Sequence, residues 1–232
     1  MKRWIKAPVF VLCLSPIFLL GWRALHNGLG ANPIEFITHF TGDWTLRFLV
    51  IVLAITPLRK ILRWPDLIRF RRMAGLFAFF YGCLHFLTYI WLDKFFDLSE
   101  TWKDVIKRPF ITAGFLAFVS MAPLAITSTA GWIRRLGGAR WQMLHRLVYL
   151  SAIAGVVHYY WLVKSDVRWP LAYASAVGVL LLYRILMSRG LLGKLNSVGI
   201  NRPARTSPDL YGRSGRPPVP DPLAPGRGGQ RR

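Results

Sequence analysis

The chain has 232 residues, 53% of them hydrophobic, and nevertheless carries a formal charge of +21. Apolar and cationic excess coexist when they are segregated along the chain, which points to membrane spans separated by basic connections and away from a soluble domain with an evenly charged surface. A nucleic-acid footprint would gather the cations on one folded face; here they alternate with apolar runs, so nucleic acid is set aside as a partner.

Apolar runs over about residues 7–24, 44–58, 73–92, 110–128, 143–163 and 169–188 are mostly long enough, at about 1.5 Å per residue, to cross a hydrocarbon core about 30 Å thick. The fold class is therefore an all-α integral membrane protein, a bundle of six transmembrane helices. The first run follows Met1-Lys2-Arg3 like a signal peptide, but it lacks an Ala-x-Ala site and five runs follow it, so retention is expected. The second is the shortest; its start moves back to Ile34 if Glu35, His39 and Asp43 belong to a helical approach, and Pro57 is read as its end. The third carries Cys83 and His85. Between the third and fourth runs, Asp93 to Arg108 mixes Asp97, Glu100 and Asp104 with Phe95, Phe96 and Trp102, which reads first as a loop lying at the interface and also suits a short amphipathic helix there or a docking surface.

Pro109 opens the fourth run and Pro123 lies inside it, where a kink is expected. The fifth run carries His145 and His158, and Pro170 opens the sixth. Gly75, Gly82, Gly114, Gly155 and Gly178 allow close helix approach, or room for a planar cofactor. Cys13 and Cys83 both lie in apolar runs and give no disulfide framework. Residues 1–195 read as one membrane domain. Residues 196–232, rich in Pro, Gly and Arg, read as a disordered tail with too few apolar residues for a core.

Cations near span ends stay in the cytoplasm. With the N-terminus inside, the inner segments hold 22 of the 31 Lys and Arg residues, and the outer ones hold seven of the ten acids. Both termini are expected in the cytoplasm.

Ionisable side chains inside spans are costly and mark function. His85 lies twelve residues beyond Met73 and His158 fifteen beyond Met143, or about 18 and 22 Å deep by helical rise. At such similar depths the two can face one metal ion from opposite sides, and haem iron held by two histidines favours electron transfer over oxygen binding. Taken singly, each histidine also suits a hydrogen-bonded post between helices. Zinc fits poorly, because only two ligands match in depth. A proton relay is the rival, and with it an alternative function as a proton-coupled or metal-ion transporter.

His145 sits near the inner face, about 140° around a continuous helix from His158, so it cannot share the same haem. Arg71 and Arg72 lie fourteen and thirteen residues before His85, where a second haem would need its other ligand. Guanidinium does not ligate iron, but it binds haem propionates, flavin phosphate or anionic lipid. Ordinary inner-face anchoring explains the pair equally well. His145 is left as a ligand of a second haem or part of a flavin or quinone site. His39 and Glu35, one turn apart at the outer mouth, suit capping or a quinone site. No Gly-rich dinucleotide fingerprint is present, so NAD(P)H would be oxidised by another protein.

The segments Gly30–Trp44, Ala54–Arg59, Arg71–Leu76, Leu124–Ser128 and Trp141–Leu150 resemble the MsrQ family, also called YedZ, over about residues 1–195. These are haem-binding membrane subunits of methionine sulfoxide reductase systems within the ferric-reductase-like transmembrane group. The resemblance implies heme b, an association with FMN, and electron flow from the quinol pool or a cytosolic flavin reductase to MsrP, a periplasmic molybdopterin enzyme that repairs oxidised proteins. It implies a bacterial inner-membrane location and an electron-transfer subunit rather than the catalytic one. It places His85, His145 and His158 on haem-associated histidines, with haem between the third and fifth spans, and Arg71 and Arg72 on a basic pair. Arg71 stands where a histidine would complete a second site, and the tail matches no family motif.

Overall fold

The computed structural model describes residues 5–163 and 165–188. Lys164 and the expected tail over 196–232 lie outside them. The chain divides into two units, Met1–Leu192 and Gly193–Arg232, and the described residues belong to the first.

Among those residues every regular element is helical: α1 (Lys6–Leu25), α2 (Pro33–Ile61), α3 (Ile68–Thr88), α4 (Leu98–Lys107), α5 (Pro109–Ile126), α6 (Ala130–Leu136), α7 (Gly138–Leu144), α8 (Leu147–Leu162) and α9 (Arg168–Ser188). A 3-10 turn at Pro65–Leu67 leads into α3, and a π turn at Tyr89–Asp93 leads out of it. Among the described residues four stretches are long and apolar enough to cross a membrane: Lys6–Leu25, Pro65–Asp93, Pro109–Ile126 and Arg168–Ser188. α2 is long enough, but Glu35, Asp43, Arg47, Arg59 and Lys60 dilute it. α8, with 16 residues, reaches only about 24 Å.

Two sequence expectations change here. The fifth run is not one continuous helix, because the chain turns at His145 and Arg146 between α7 and α8. Its angular relation to His158 therefore does not follow from counting residues around a single helix. Pro57 does not end the second helix either, since α2 continues to Ile61. Proline removes the amide that would bond the carbonyl four residues back, here that of Leu53. Arg184 from α9 takes its place, donating from Nη2 to the Leu53 carbonyl at 3.1 Å and to Thr56 Oγ1 at 3.2 Å, and from Nη1 to the Tyr149 hydroxyl. One guanidinium thus ties α2, α8 and α9 together and satisfies the carbonyl that Pro57 frees.

The start of α2 follows from local chemistry. Asn32 caps it, accepting from the Glu35 amide at 3.3 Å and donating to Glu35 Oε2 at 3.0 Å, and Pro33 takes the first position, where no amide is needed. Along α2, Leu46, Leu49 and Leu53 fall on one stripe and bury against Tyr81, Ala78, Met121 and Ala152. Tyr81 stacks on Phe48 with ring centroids 5.4 Å apart, and its hydroxyl donates to the Cys13 carbonyl of α1 at 2.9 Å. In lipid such contacts act through packing and hydrogen bonding, because lipid tails are as apolar as leucine.

The start of α2, the end of α3, the start of α5 and the end of α8 line one cavity. They share the end of the bundle that carries α4, called the α4 end below.

Candidate functional site

The cavity at the α4 end has a volume of about 620 Å³, inside the range of roughly 300–1,000 Å³ for small-molecule and cofactor sites. Leu46, Leu49, Phe86, Phe118 and Met121 make its walls largely apolar, while Glu35, His39, Asp43, Asp93 and Arg108 supply polar groups. From α3 and α8, His85 and His158 meet there, ring centroids 6.1 Å apart and planes inclined at 72°. The depth match expected from helical rise is thus a spatial contact.

Each ring is held by a backbone carbonyl of a neighbouring helix. His85 Nδ1 bonds the Thr38 carbonyl of α2 at 2.9 Å, and His158 Nδ1 bonds the Phe110 carbonyl of α5 at 2.6 Å. A carbonyl only accepts, so both Nδ1 atoms carry the proton and both Nε2 atoms keep a lone pair. That is the tautomer a metal-ligating histidine adopts when its second nitrogen is fixed by a carbonyl. Glycines face both rings. A Cβ on Gly114 would lie 2.7 Å from His158 Nδ1, and one on Gly42 would lie 3.1 Å from His85 Cε1. Only glycine leaves the rings where they are.

The residues fit a bis-histidine metal group. Two metal–nitrogen bonds of about 2.0 Å, with about 1.1 Å from each nitrogen to its ring centre, give centroids about 6.2 Å apart, beside the 6.1 Å observed. Among the described residues no three His, Cys, Asp or Glu side chains are grouped to hold a metal ion. A bare zinc ion would find too few ligands here, whereas haem iron arrives with its equatorial nitrogens and needs only the axial pair.

The other expected residues lie elsewhere. His145 sits at the α7–α8 turn, stacked on Trp141 with centroids 3.8 Å apart and bonding the Trp141 carbonyl through Nδ1 at 3.0 Å. Arg71 is half-buried, close enough for its charge to act on His145 and Arg184, whereas Arg72 is exposed. The structure leaves Arg72 exposed and places none of the three on the cavity wall. Glu35 is committed to capping with Asn32 and lies 3.8 Å from His39.

Several residues at the cavity escaped the sequence reading. Thr38 and Phe110 contribute only carbonyls, and Gly42 stands beside Asp43 without a signal of its own. Arg108 reads as a loop cation, yet it lines the cavity and pairs through Nε with Asp104 at 3.3 Å. Asp104 also meets Lys94 at 2.7 Å and accepts from the Tyr89 hydroxyl at 3.1 Å. Hydrogen bonding to Lys94, foremost, holds the Asp104 carboxyl below its usual range, and the same contact pushes the Lys94 ammonium above its own.

The sequence profile of the family described as "Ferric reductase like transmembrane component" matches residues 41–156, a span that contains His85 and ends two residues before His158. A protein from Herminiimonas arsenicoxydans, described as the protein-methionine-sulfoxide reductase heme-binding subunit MsrQ, is 54% identical over 87% of this chain and 94% of its own length. Proteins with the same description from Caulobacter vibrioides and Rhodospirillum rubrum are 50% and 52% identical, each over 78% of this chain and over 86% and 87% of their own lengths. No solved structure matches the chain.

Proposed function

The chain belongs to the ferric-reductase-like transmembrane family and, within it, to the MsrQ heme-binding subunits, and from that premise we propose that it is a transmembrane electron-transfer subunit. Its acceptor is a periplasmic molybdopterin methionine sulfoxide reductase of the MsrP kind. Two facing, half-buried imidazoles with Nε2 lone pairs free carry this proposal.

His85 and His158 would hold b-type haem as its axial pair. Haem held there would supply a one-electron centre. The chain's own residues do the rest. The Thr38 and Phe110 carbonyls fix ring rotation and tautomer, Gly42 and Gly114 leave the rings their space, and Phe86, Phe118, Leu46 and Leu49 keep water from the walls. Arg108 offers a cation to a carboxylate at the cavity edge. Neither imidazole bonds the other, since each Nδ1 is engaged by a carbonyl, which favours ligation over a proton relay between them.

In this proposal α1, α2, α3, α5, α8 and α9 form the six membrane helices of a domain over 1–195, and residues 196–232 form a cytoplasmic tail. The cation distribution puts both termini in the cytoplasm of a bacterial cell and the α4 end in the periplasm. Haem held by His85 and His158 would lie at the end nearer that acceptor. Electrons enter from the quinol pool or a cytosolic flavin reductase at the opposite end, where His145, Arg71 and Arg72 suit a second haem, FMN or a quinone.

Expression with haem supply and purification of the full chain tests this. Dithionite should develop a b-type α-band that the periplasmic reductase, given methionine sulfoxide, reoxidises. A chain without the band refutes the proposal, and a band indifferent to the reductase refutes the acceptor.

A further inference from the structure

The exposed apolar residues of α4 are not used by the proposed electron-transfer role. Leu98, Trp102 and Ile106 recur every four residues, one stripe along a helix, and are 68%, 58% and 67% exposed. Phe95 and Phe96, in left-handed backbone at φ 46° and 62°, add two more exposed aromatic rings just ahead of the helix. The adjoining face, with Thr101, Asp104 and Val105, is buried. There Lys94 joins Asp104 at 2.7 Å and Glu100 at 2.9 Å, with the Lys94 and Asp104 side chains only 8% and 10% exposed. A helix facing water would carry the reverse arrangement, because soluble surfaces rarely expose a continuous apolar patch.

Two further observations say what covers this face. Only Arg108 separates α4 from α5, so α4 leaves directly from the end of a membrane-length helix and is held at that level. Trp22, Trp91, Trp161 and Trp169 mark the same level at the ends of α1, the π turn, α8 and α9, and all four are exposed. Tryptophan collects at the headgroup level, and Trp102 continues the series. Lys103 and Lys107, both exposed, flank the stripe, as expected of a helix whose charged edge meets phosphates while its apolar face enters lipid.

We infer that α4 is an interfacial helix lying in the membrane plane, its stripe and the two phenylalanines among acyl chains and its lysines at phospholipid phosphates. Lipid thereby holds the roof of the histidine cavity, since Val105 and Arg108 line that cavity from α4 and its end. The inference rests on membrane embedding and is independent of haem ligation.

The test places nitroxide labels on single cysteines at positions 98, 102, 106, 103 and 107 of the full chain, in a Cys13→Ser, Cys83→Ser background, in nanodiscs of phosphatidylcholine and phosphatidylglycerol. Labels on the stripe should favour oxygen, with collision rates towards a water-soluble nickel chelate about tenfold below those at 103 and 107, as immersion by about 5–10 Å requires. Equal nickel access at all five positions overturns the inference. So does nickel access at the stripe that is lost only on adding the periplasmic reductase, which would make the face a protein-docking surface. Acyl-brominated lipid provides a label-free arm: the wild-type chain should be quenched more than Trp102→Phe, and equal quenching overturns the inference.

Discussion

Gly114→Ala is the most demanding test of how the site is built. The new Cβ would lie 2.7 Å from Nδ1, 3.0 Å from Cε1 and 3.1 Å from Cγ of His158, and relief to ordinary contact means moving one wall by about 0.8 Å, where close packing leaves little slack. The ring cannot rotate away without giving up its 2.6 Å bond to the Phe110 carbonyl. Overpacking of this kind costs about 1–3 kcal/mol, a factor of roughly 5 to 150 in an equilibrium constant. Gly42→Ala is the graded partner, because its closest approach to His85 is 3.1 Å and a shift of a few tenths of an ångström suffices. Gly178→Ala, with nothing within 4 Å, is the control. Haem per protein and the low-spin signal should fall in the order Gly178→Ala, Gly42→Ala, Gly114→Ala. Full haem with an unchanged spectrum in Gly114→Ala would refute the packing of glycine against a ligating ring.

Arg184→Leu should lower the thermal midpoint in detergent, since an unsatisfied buried carbonyl costs about 1–3 kcal/mol. Adding Pro57→Ala should recover much of that loss by restoring an amide to the Leu53 carbonyl, and strict additivity of the two changes would show that the residues are uncoupled. Asp104→Ala leaves Lys94 with Glu100 alone and should cost up to about 3–5 kcal/mol, the range for breaking a buried pair, seen as faster proteolysis around α4. The pH dependence has a definite sign. Asp104 titrates below its usual carboxylate value through Lys94, Tyr89 and Arg108, so its stabilisation is full above about pH 3.9 and lost as pH falls through the lower folded value. Lys94 titrates above its usual value, so its share is full below about pH 10.4 and lost only in stronger alkali. Protease resistance of α4 should therefore be flat from pH 5 to 9; a transition inside that window would contradict the pairing.

The features legible in the sequence are those set by local chemistry. Comparable depth paired His85 with His158 in the sequence, although the count from Met143 crosses the turn at His145 and Arg146 and so does not follow one helix. The segment before Pro109 showed its mixed aromatic and acidic character in the sequence, but it read first as a loop, and the structure makes it the helix α4. Pro57 misled because its rescuer, Arg184, lies on another helix and no local rule anticipates it. The turn at His145 and Arg146 lies in a run that continues apolar into α8, with no Gly or Pro to signal it. Thr38 and Phe110 act through backbone carbonyls, which any residue could present, so only the structure identifies them.

The most direct test is the low-spin haem signal of the purified full chain in electron paramagnetic resonance, compared with His85→Ala and His158→Ala. Loss of that signal in each variant, with its survival in His145→Ala, is expected if His85 and His158 are the axial pair. A low-spin signal that survives both single substitutions would contradict it.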